Sequence, residues 1–349
     1  MTNVEAPELP TPELPIIDVA PLVTGAGDQR AVATDIGRAG REQGFFYVVG
    51  HGVSRDLQKR LEELSARFFA EDLETKLEIR MARGGRAWRG YFAVGDELTS
   101  GRPDVKEGLY FGAELGMDDP RVRAGVPLHG PNLFPTEIPE FRDTVLEYME
   151  ALTGLGHTLM RGIALSLGLE ATYFHEQFMA DPLTLFRIFH YPPVDVKTEE
   201  EDGWGVGEHT DYGVLTILKQ DDVGGLQVKS KSLWIDAPPV PDSFVCNIGD
   251  MLDRLTRGLY RSTPHRVRNV SGRGRFSFPF FFDPGFDARV EPVDLTHVQG
   301  SRDEKPNEKP NEKHKRWDDQ DIHAFEGTYG EYILGKVSKV FPELGRAVT

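Results

Sequence analysis

The chain has 349 residues, a formal net charge of −16, 39% hydrophobic and 10% aromatic residues, and one cysteine, Cys246. That composition supplies a sizeable core and excludes global disorder, and its acidic field makes nucleic acid and anionic membrane surfaces poor partners. A lone cysteine forms no intrachain disulfide and no cysteine-rich zinc site; within Phe244-Val245-Cys246 it reads as an inert buried thiol.

In chain order, the acidic, Pro-rich start reads as an extended tail without the features of a secretory signal, and no apolar run reaches membrane-spanning length. A cytoplasmic protein without membrane association is therefore expected. A short strand follows at Pro15-Ile16-Ile17-Asp18-Val19, then a helix over residues 30–43 stopped by Gly44. Residues 45–49 form an apolar β-type run closed by Gly50-His51-Gly52, with His51 as a turn residue. Ser54 caps a helix whose Leu57, Leu61, Leu64 and Phe68 share one face. A Gly-rich stretch from Gly84-Gly85 through Arg86, Arg89, Tyr91, Glu97 and Thr99 reads as a loop over a site. A long helical pattern then covers residues 137–168, with Gly168 as its stop.

From residue 183 the period changes. β-type runs at 185–191, 214–218, 226–228, 233–235, 244–246, 265–270 and 276–282 are punctuated by Pro, Gly and Asp. That rhythm predicts an antiparallel sandwich or barrel such as a jelly roll, with the helices of the N-terminal half outside it. Residues 303–313 hold a tandem Glu-Lys-Pro-Asn repeat that reads as a solvated loop, and a C-terminal helix is expected from Gly327. The expected organisation is one compact α+β unit: a helical and strand region over 1–180, a core over 181–295, and a loop with a helix over 296–349.

His209-Thr210-Asp211 is the first feature with chemistry in it. Residues two apart on a strand share a face, so an imidazole and a carboxylate at that spacing can meet one ion. With 10 His and 27 Asp in the chain, chance alone predicts roughly 0.8 such dyads, so the dyad by itself decides nothing. His265 follows 54 residues after Asp211, at the start of another strand candidate, and ten further on stands Arg275-Phe276-Ser277. A barrel can bring all five side chains into one lumen. Two histidines and one carboxylate leave positions open on a metal, the arrangement of non-haem iron(II) oxygenases. An arginine further down the lumen can take a dicarboxylate bidentately, with a serine hydroxyl as second donor. A zinc hydrolase could use the same triad but has no need of Arg275 and Ser277.

These residues, with Gly44-Phe45-Phe46-Tyr47-Val48-Val49-Gly50-His51-Gly52-Val53, Asp104-Val105-Lys106-Glu107, Tyr191-Pro192-Pro193, Gly224-Gly225-Leu226-Gln227-Val228 and Asn247-Ile248-Gly249-Asp250, resemble the isopenicillin N synthase-like branch of the 2-oxoglutarate/Fe(II)-dependent dioxygenases. The resemblance covers most of the chain. It implies a double-stranded β-helix (jelly-roll) core, Fe(II) held by His209, Asp211 and His265, and 2-oxoglutarate held by Arg275, Ser277 and Tyr191. It also implies consumption of dioxygen, ascorbate as a reductant, and hydroxylation, desaturation or cyclisation of a small molecule. An asparagine often found two residues before the tyrosine is Phe189 here.

Three alternatives stay open. Isopenicillin N synthase and aminocyclopropanecarboxylate oxidase share the triad and the Arg-x-Ser motif without using 2-oxoglutarate. Ethylene-forming enzymes resemble the chain through Asp211-Tyr212-Gly213 and the run from Gln220 to Leu226. Outside catalysis, a 2-oxoglutarate-binding sensor is the rival. The substrate-pocket candidates are Arg86, Arg89, Tyr91, Glu97, Thr99, Arg187, Tyr212, Lys339 and Phe341. Arg187 reads either as pocket or as a structural ion pair, and Tyr212 either as core or as pocket wall. His190 points away from the Tyr191 face, and Asn247 and Asp250 read as holding the turn after their strand. Nothing in the sequence fixes an oligomeric state; a monomer is compatible with it.

Overall fold

The computed structural model describes residues 13–99, 101–193, 204–230, 233–269, 271–298 and 321–340; the tandem repeat and Phe341 lie outside them. In chain order the strands are β1 (Ile16–Asp18), β2 (Phe45–Val49), β3 (Gly90–Phe92), β4 (Leu98–Thr99), β5 (Arg102–Pro103), β6 (Glu107–Gly112) and β7 (Leu183–Tyr191). They continue with β8 (Val206–His209), β9 (Leu215–Gln220), β10 (Leu226–Ser230), β11 (Leu233–Asp236), β12 (Phe244–Ile248), β13 (His265–Val267) and β14 (Arg275–Asp283).

A large sheet runs β1-β2-β12-β9-β14-β7-β6-β3, and a small one runs β11-β10-β13-β8. Apart from the parallel β1–β2 pair, neighbours are antiparallel. The two sheets are the walls of a jelly roll, and strands from the N-terminal part extend its larger wall at both edges.

Strand β14 shows how the sequence sorts the two faces. Phe278, Phe280 and Phe282 join the core cluster on the helix side of the sheet, each worth about 1.5–3 kcal/mol of burial. Phe281 and Asp283 face the lumen and line its cavity. Strand β7 alternates likewise, with Phe186 and Ile188 toward the helices and Leu185, Arg187 and Phe189 toward the lumen. Helix Glu140–Ser166 covers the outer face. Tyr148 meets Phe186 with ring centroids 5.2 Å apart. At Gly156 a Cβ would stand 2.7 Å from the Phe282 ring, so this approach of helix to sheet requires glycine.

Most elements match their expected positions: helix Gln29–Glu42, helix Arg55–Phe69 with Ser54 Oγ accepting from the Leu57 amide at 3.3 Å, and the C-terminal helix Tyr329–Val340. The Gly-rich stretch is the exception. Read as a loop, it holds a 3-10 segment, Met81–Ala87, then β3 and the β4–β5 hairpin. Tyr91 pairs with Leu109 across β3 and β6, a nonlocal ladder that a two-residue aromatic run does not announce. Among the described residues, no helix is long and apolar enough to cross a membrane.

Candidate active site

The end of β8 carries His209 and the start of β13 carries His265; they are direct cross-strand partners. Asp211 follows in the loop after β8. One donor atom from each of the three lies within 4.8 Å of the others. Asp211 Oδ1 is 3.8 Å from His209 Nε2 and 3.6 Å from His265 Nε2.

Every competing atom of the triad is engaged. His209 Nδ1 donates to the Gly207 carbonyl at 2.8 Å and His265 Nδ1 to the Thr263 carbonyl at 3.2 Å, which leaves each Nε2 lone pair facing inward. Asp211 Oδ2 accepts from Thr216 Oγ1 at 2.5 Å and Asn247 Nδ2 at 2.8 Å, leaving Oδ1 for an ion. Burial acts to raise the Asp211 carboxyl, but the two imidazoles and these hydrogen bonds outweigh it, so its pKa falls. Burial and the neighbouring His209 push His265 down to about 4, so its imidazole is neutral at pH 7. Two imidazoles and a carboxylate on one side fit a divalent iron with open positions. The loop itself is clamped: the Asp250 and Met251 amides, opening helix Asp250–Leu255, donate to the carbonyls of Asp211 and Gly213 at 2.8 and 2.9 Å.

Arg275 lies at the far end of β14, directly paired with Tyr191 of β7. It is fully buried. Its Nε donates to the Gly224 carbonyl, and its carbon Cζ lies 4.7 Å from the Tyr191 ring centroid. Neither Nη1 nor Nη2 has a hydrogen-bond partner among the described residues. Asp221 feels its charge, yet that carboxylate is taken by the Phe276 amide at 2.5 Å. Ser277 Oγ donates to the Tyr191 hydroxyl at 3.4 Å. A buried bidentate cation with both prongs unmet suits a carboxylate. Phe189, paired with Ser277, supplies its ring to Lys106 Nζ, 4.8 Å from the centroid, in place of a polar contact.

A cavity of ≈ 510 Å³ opens beside the triad and touches His209 and Asp211. Its walls come from β4 (Leu98, Thr99), β7 (Leu185, Arg187, Phe189), β14 (Phe281, Asp283) and helix Tyr329–Val340 (Ile333, Lys336, Val337, Lys339, Val340). Charge within it is dense. Lys106 pairs with Glu97 at 2.8 Å and with Asp104. Arg187 lies 3.6 Å from Glu97 and stacks on Tyr110, 3.7 Å from its centroid. Burial, joined by the negative charge of Asp211 and opposed by the Tyr329 hydroxyl, the Val214 amide and the charge of Arg187, pushes Asp283 up to about 7.

Of the substrate-pocket candidates, Glu97, Thr99, Arg187, Tyr212 and Lys339 line this cavity. Three do not. Arg86 is exposed. Arg89 is buried and donates to the Leu128 carbonyl at 2.7 Å. Tyr91 donates to Glu107 at 2.6 Å, within a Lys76–Glu107–His190 cluster. Asn247, read as a turn residue, is instead a hydrogen-bond donor to Asp211; as the fourth of five buried residues in β12, it presents its amide to the loop beside it. Asp250 opens the helix after its strand, and its carboxylate accepts from Ser262 Oγ at 2.7 Å and from Tyr332 at 3.1 Å. Sequence reasoning passed over Asp283, although it stands an even number of residues from Arg275 and Ser277 on one strand and so shares their face.

A jelly roll with two histidines and an aspartate in its lumen, and behind them an arginine whose terminal nitrogens are unmet among the described residues, defines a non-haem iron oxygenase scaffold. Residues 182–284 match the family model of the 2OG-Fe(II) oxygenase superfamily, and residues 14–137 match that of the non-haem dioxygenase in morphine synthesis N-terminal region. A probable iron/ascorbate oxidoreductase of Dictyostelium discoideum is 51% identical, across 95% of this chain and 96% of its own. A 1-aminocyclopropane-1-carboxylate oxidase of the same organism is 39% identical (96% and 97% covered). A homoarginine-6-hydroxylase of Arabidopsis thaliana is 37% identical (95% and 90% covered). The crystal structure of a full-length Neurospora crassa protein in complex with alpha-KG and thymine superposes with a TM-score of 0.76 at 28% identity, covering 93% of this chain and 96% of that one.

The chain belongs to the 2OG-Fe(II) oxygenase superfamily. It is an oxidoreductase that uses Fe(II) and 2-oxoglutarate.

Proposed function

We propose that the chain couples decarboxylation of 2-oxoglutarate to hydroxylation of a small amphoteric molecule, of the size and charge pattern of a basic amino acid. The balance is one 2-oxoglutarate, one dioxygen and one C–H bond giving succinate, carbon dioxide and an alcohol. The observation that carries the substrate class is the cavity beside His209 and Asp211, walled by bases and acids together: Arg187, Lys106, Lys336 and Lys339 against Glu97 and Asp283. The hydroxylase and oxidase relatives, named for amino acids, lend it support.

In this reading His209 Nε2, Asp211 Oδ1 and His265 Nε2 hold the iron, which when bound supplies activation of dioxygen at the expense of the oxo acid. Arg275 takes the distal carboxylate of 2-oxoglutarate through Nη1 and Nη2, with Ser277 and Tyr191 beside it. Thr216 and Asn247 keep Asp211 turned so that Oδ1 faces the ion. Helix Tyr329–Val340 closes the cavity and keeps bulk water from the reacting atoms.

The test is anaerobic loading with Fe(II) and 2-oxoglutarate, then admission of air with a panel of amino acids and uncharged metabolites, reading succinate. Stimulation by amphoteric members is the expected result. Oxidation without succinate would shift the reading to an oxidase that does not use 2-oxoglutarate.

A further inference from the structure

The cavity wall holds one buried acid with no ion pair among the described residues. Asp283 ends β14, on the same strand face as Arg275, and is 2% exposed. Its Oδ2 accepts from the Tyr329 hydroxyl at 2.6 Å. Oδ1 is buried against the Gly213–Val214 backbone, where the Val214 amide is its one weak donor among the described residues and no side chain reaches it. The side chain lines the cavity next to Gly213, where an added Cβ would fall 1.4 Å from Oδ1. Glycine at 213 is thus what lets the loop carrying Asp211 pass so close to this acid.

Asp211 belongs to the metal site, and the acids around Lys106 are already matched. Glu97 is ion-paired to Lys106, and Asp104 takes Lys106 and the Thr99 hydroxyl. Asp283 forms no ion pair among the described residues. A buried carboxylate without an ion pair is poorly compensated, so a cation arriving with the substrate supplies what the free protein lacks.

Building on the amphoteric reading above, we propose that Asp283 is a specificity-determining residue whose Oδ1 receives a cationic nitrogen of the substrate, an ammonium or a guanidinium. Tyr329 positions the carboxylate by holding Oδ2. The acid stands against the loop that carries Asp211, so the cationic end of the substrate lies at the metal side of the cavity.

Asp283→Asn is a near-isosteric probe. It keeps an acceptor for Tyr329 and turns the free edge from an acceptor into an amide donor. The test is calorimetric titration of the anaerobic protein, loaded with Fe(II) and 2-oxoglutarate, with L-homoarginine, L-arginine and L-lysine. Their neutral counterparts L-homocitrulline, L-citrulline and L-norleucine are titrated alongside. The native chain is expected to bind at least one cationic member about tenfold or more tightly than its counterpart, and Asp283→Asn to lose that preference. The KM for 2-oxoglutarate should not change. Tyr329→Phe, which removes the hydrogen bond to Oδ2 but not the charge, should keep the preference.

An unchanged preference in Asp283→Asn overturns the proposal and leaves the amphoteric reading standing. So does equal loss in both variants, which would trace selectivity to the docking of the helix. A native chain that binds no member of either set overturns both.

Discussion

The two ends of strand β14 handle buried charge in opposite ways. At one end Arg275 is fully buried with both terminal nitrogens unmet and its nearest acid committed elsewhere. Beside the other end, the cavity's charges largely answer one another, as in Lys106 with Glu97 and Asp104 and Arg187 with Glu97 and Tyr110. On the proposed reading, the first is left incomplete for the cosubstrate of every turnover. The second is mostly satisfied within the protein itself. A buried lone charge costs stability, whereas breaking a buried pair costs it by exposing the partner left behind.

That contrast can be broken from either side. Removing a metal ligand acts on both ends at once: His209→Ala or Asp211→Ala should abolish succinate formation and lower the iron retained after gel filtration. Turnover that survives with added Fe(II) would sink the ligand assignment. Lys106→Met strands Glu97 and Asp104 and should cost about 3–5 kcal/mol in urea unfolding. Arg275→Leu should do the reverse to the ligand-free protein, whose thermal midpoint should hold or rise. It should also raise the KM for 2-oxoglutarate about 100-fold. A clear drop in midpoint would show that Arg275 is a structural residue.

Asn247→Ala, which removes one of the two hydrogen bonds that turn Asp211, should weaken Fe(II) binding roughly 10–100-fold. It should leave the 2-oxoglutarate KM near its native value once iron is saturating. Lys339→Ala is the mildest change. Lys339 is exposed at the cavity mouth, and kcat/KM for an amphoteric substrate should fall no more than about threefold.

The same contrast separates what the chain discloses in its order of residues from what only folding reveals. Arg275 and Ser277 lie two apart on one strand, so their common face follows from pleating alone. Helix Arg55–Phe69 announces itself through its capping residue, Ser54, and through apolar periodicity, and helix Gln29–Glu42 through its glycine stop. His209 and Asp211 were legible as a pair of little weight; the pairing of β8 with β13 is what brings His265 to them. The cavity wall was far less legible, because β4, β7, β14 and the C-terminal helix each contribute a few residues. Arg89 and Tyr91 illustrate the difficulty. They fall in a Gly-rich stretch that suggests a loop, yet pairing of β3 with β6 buries both away from the cavity. Asn247 misled for a related reason: its partner, Asp211, is 36 residues away in the chain.

Helix Tyr329–Val340 leans on the barrel through two phenols, Tyr329 on Asp283 and Tyr332 on Asp250, and offers Ile333, Lys336, Val337, Lys339 and Val340 to the cavity. None of its residues belongs to the metal triad or lies in the strands that carry Arg275 and Tyr191. Exchange of those five side chains, with the phenols kept, can therefore redraw the outline of the accepted molecule without retuning the oxidant. What is oxidised and how it is oxidised can vary independently, and twelve residues are enough to carry the difference.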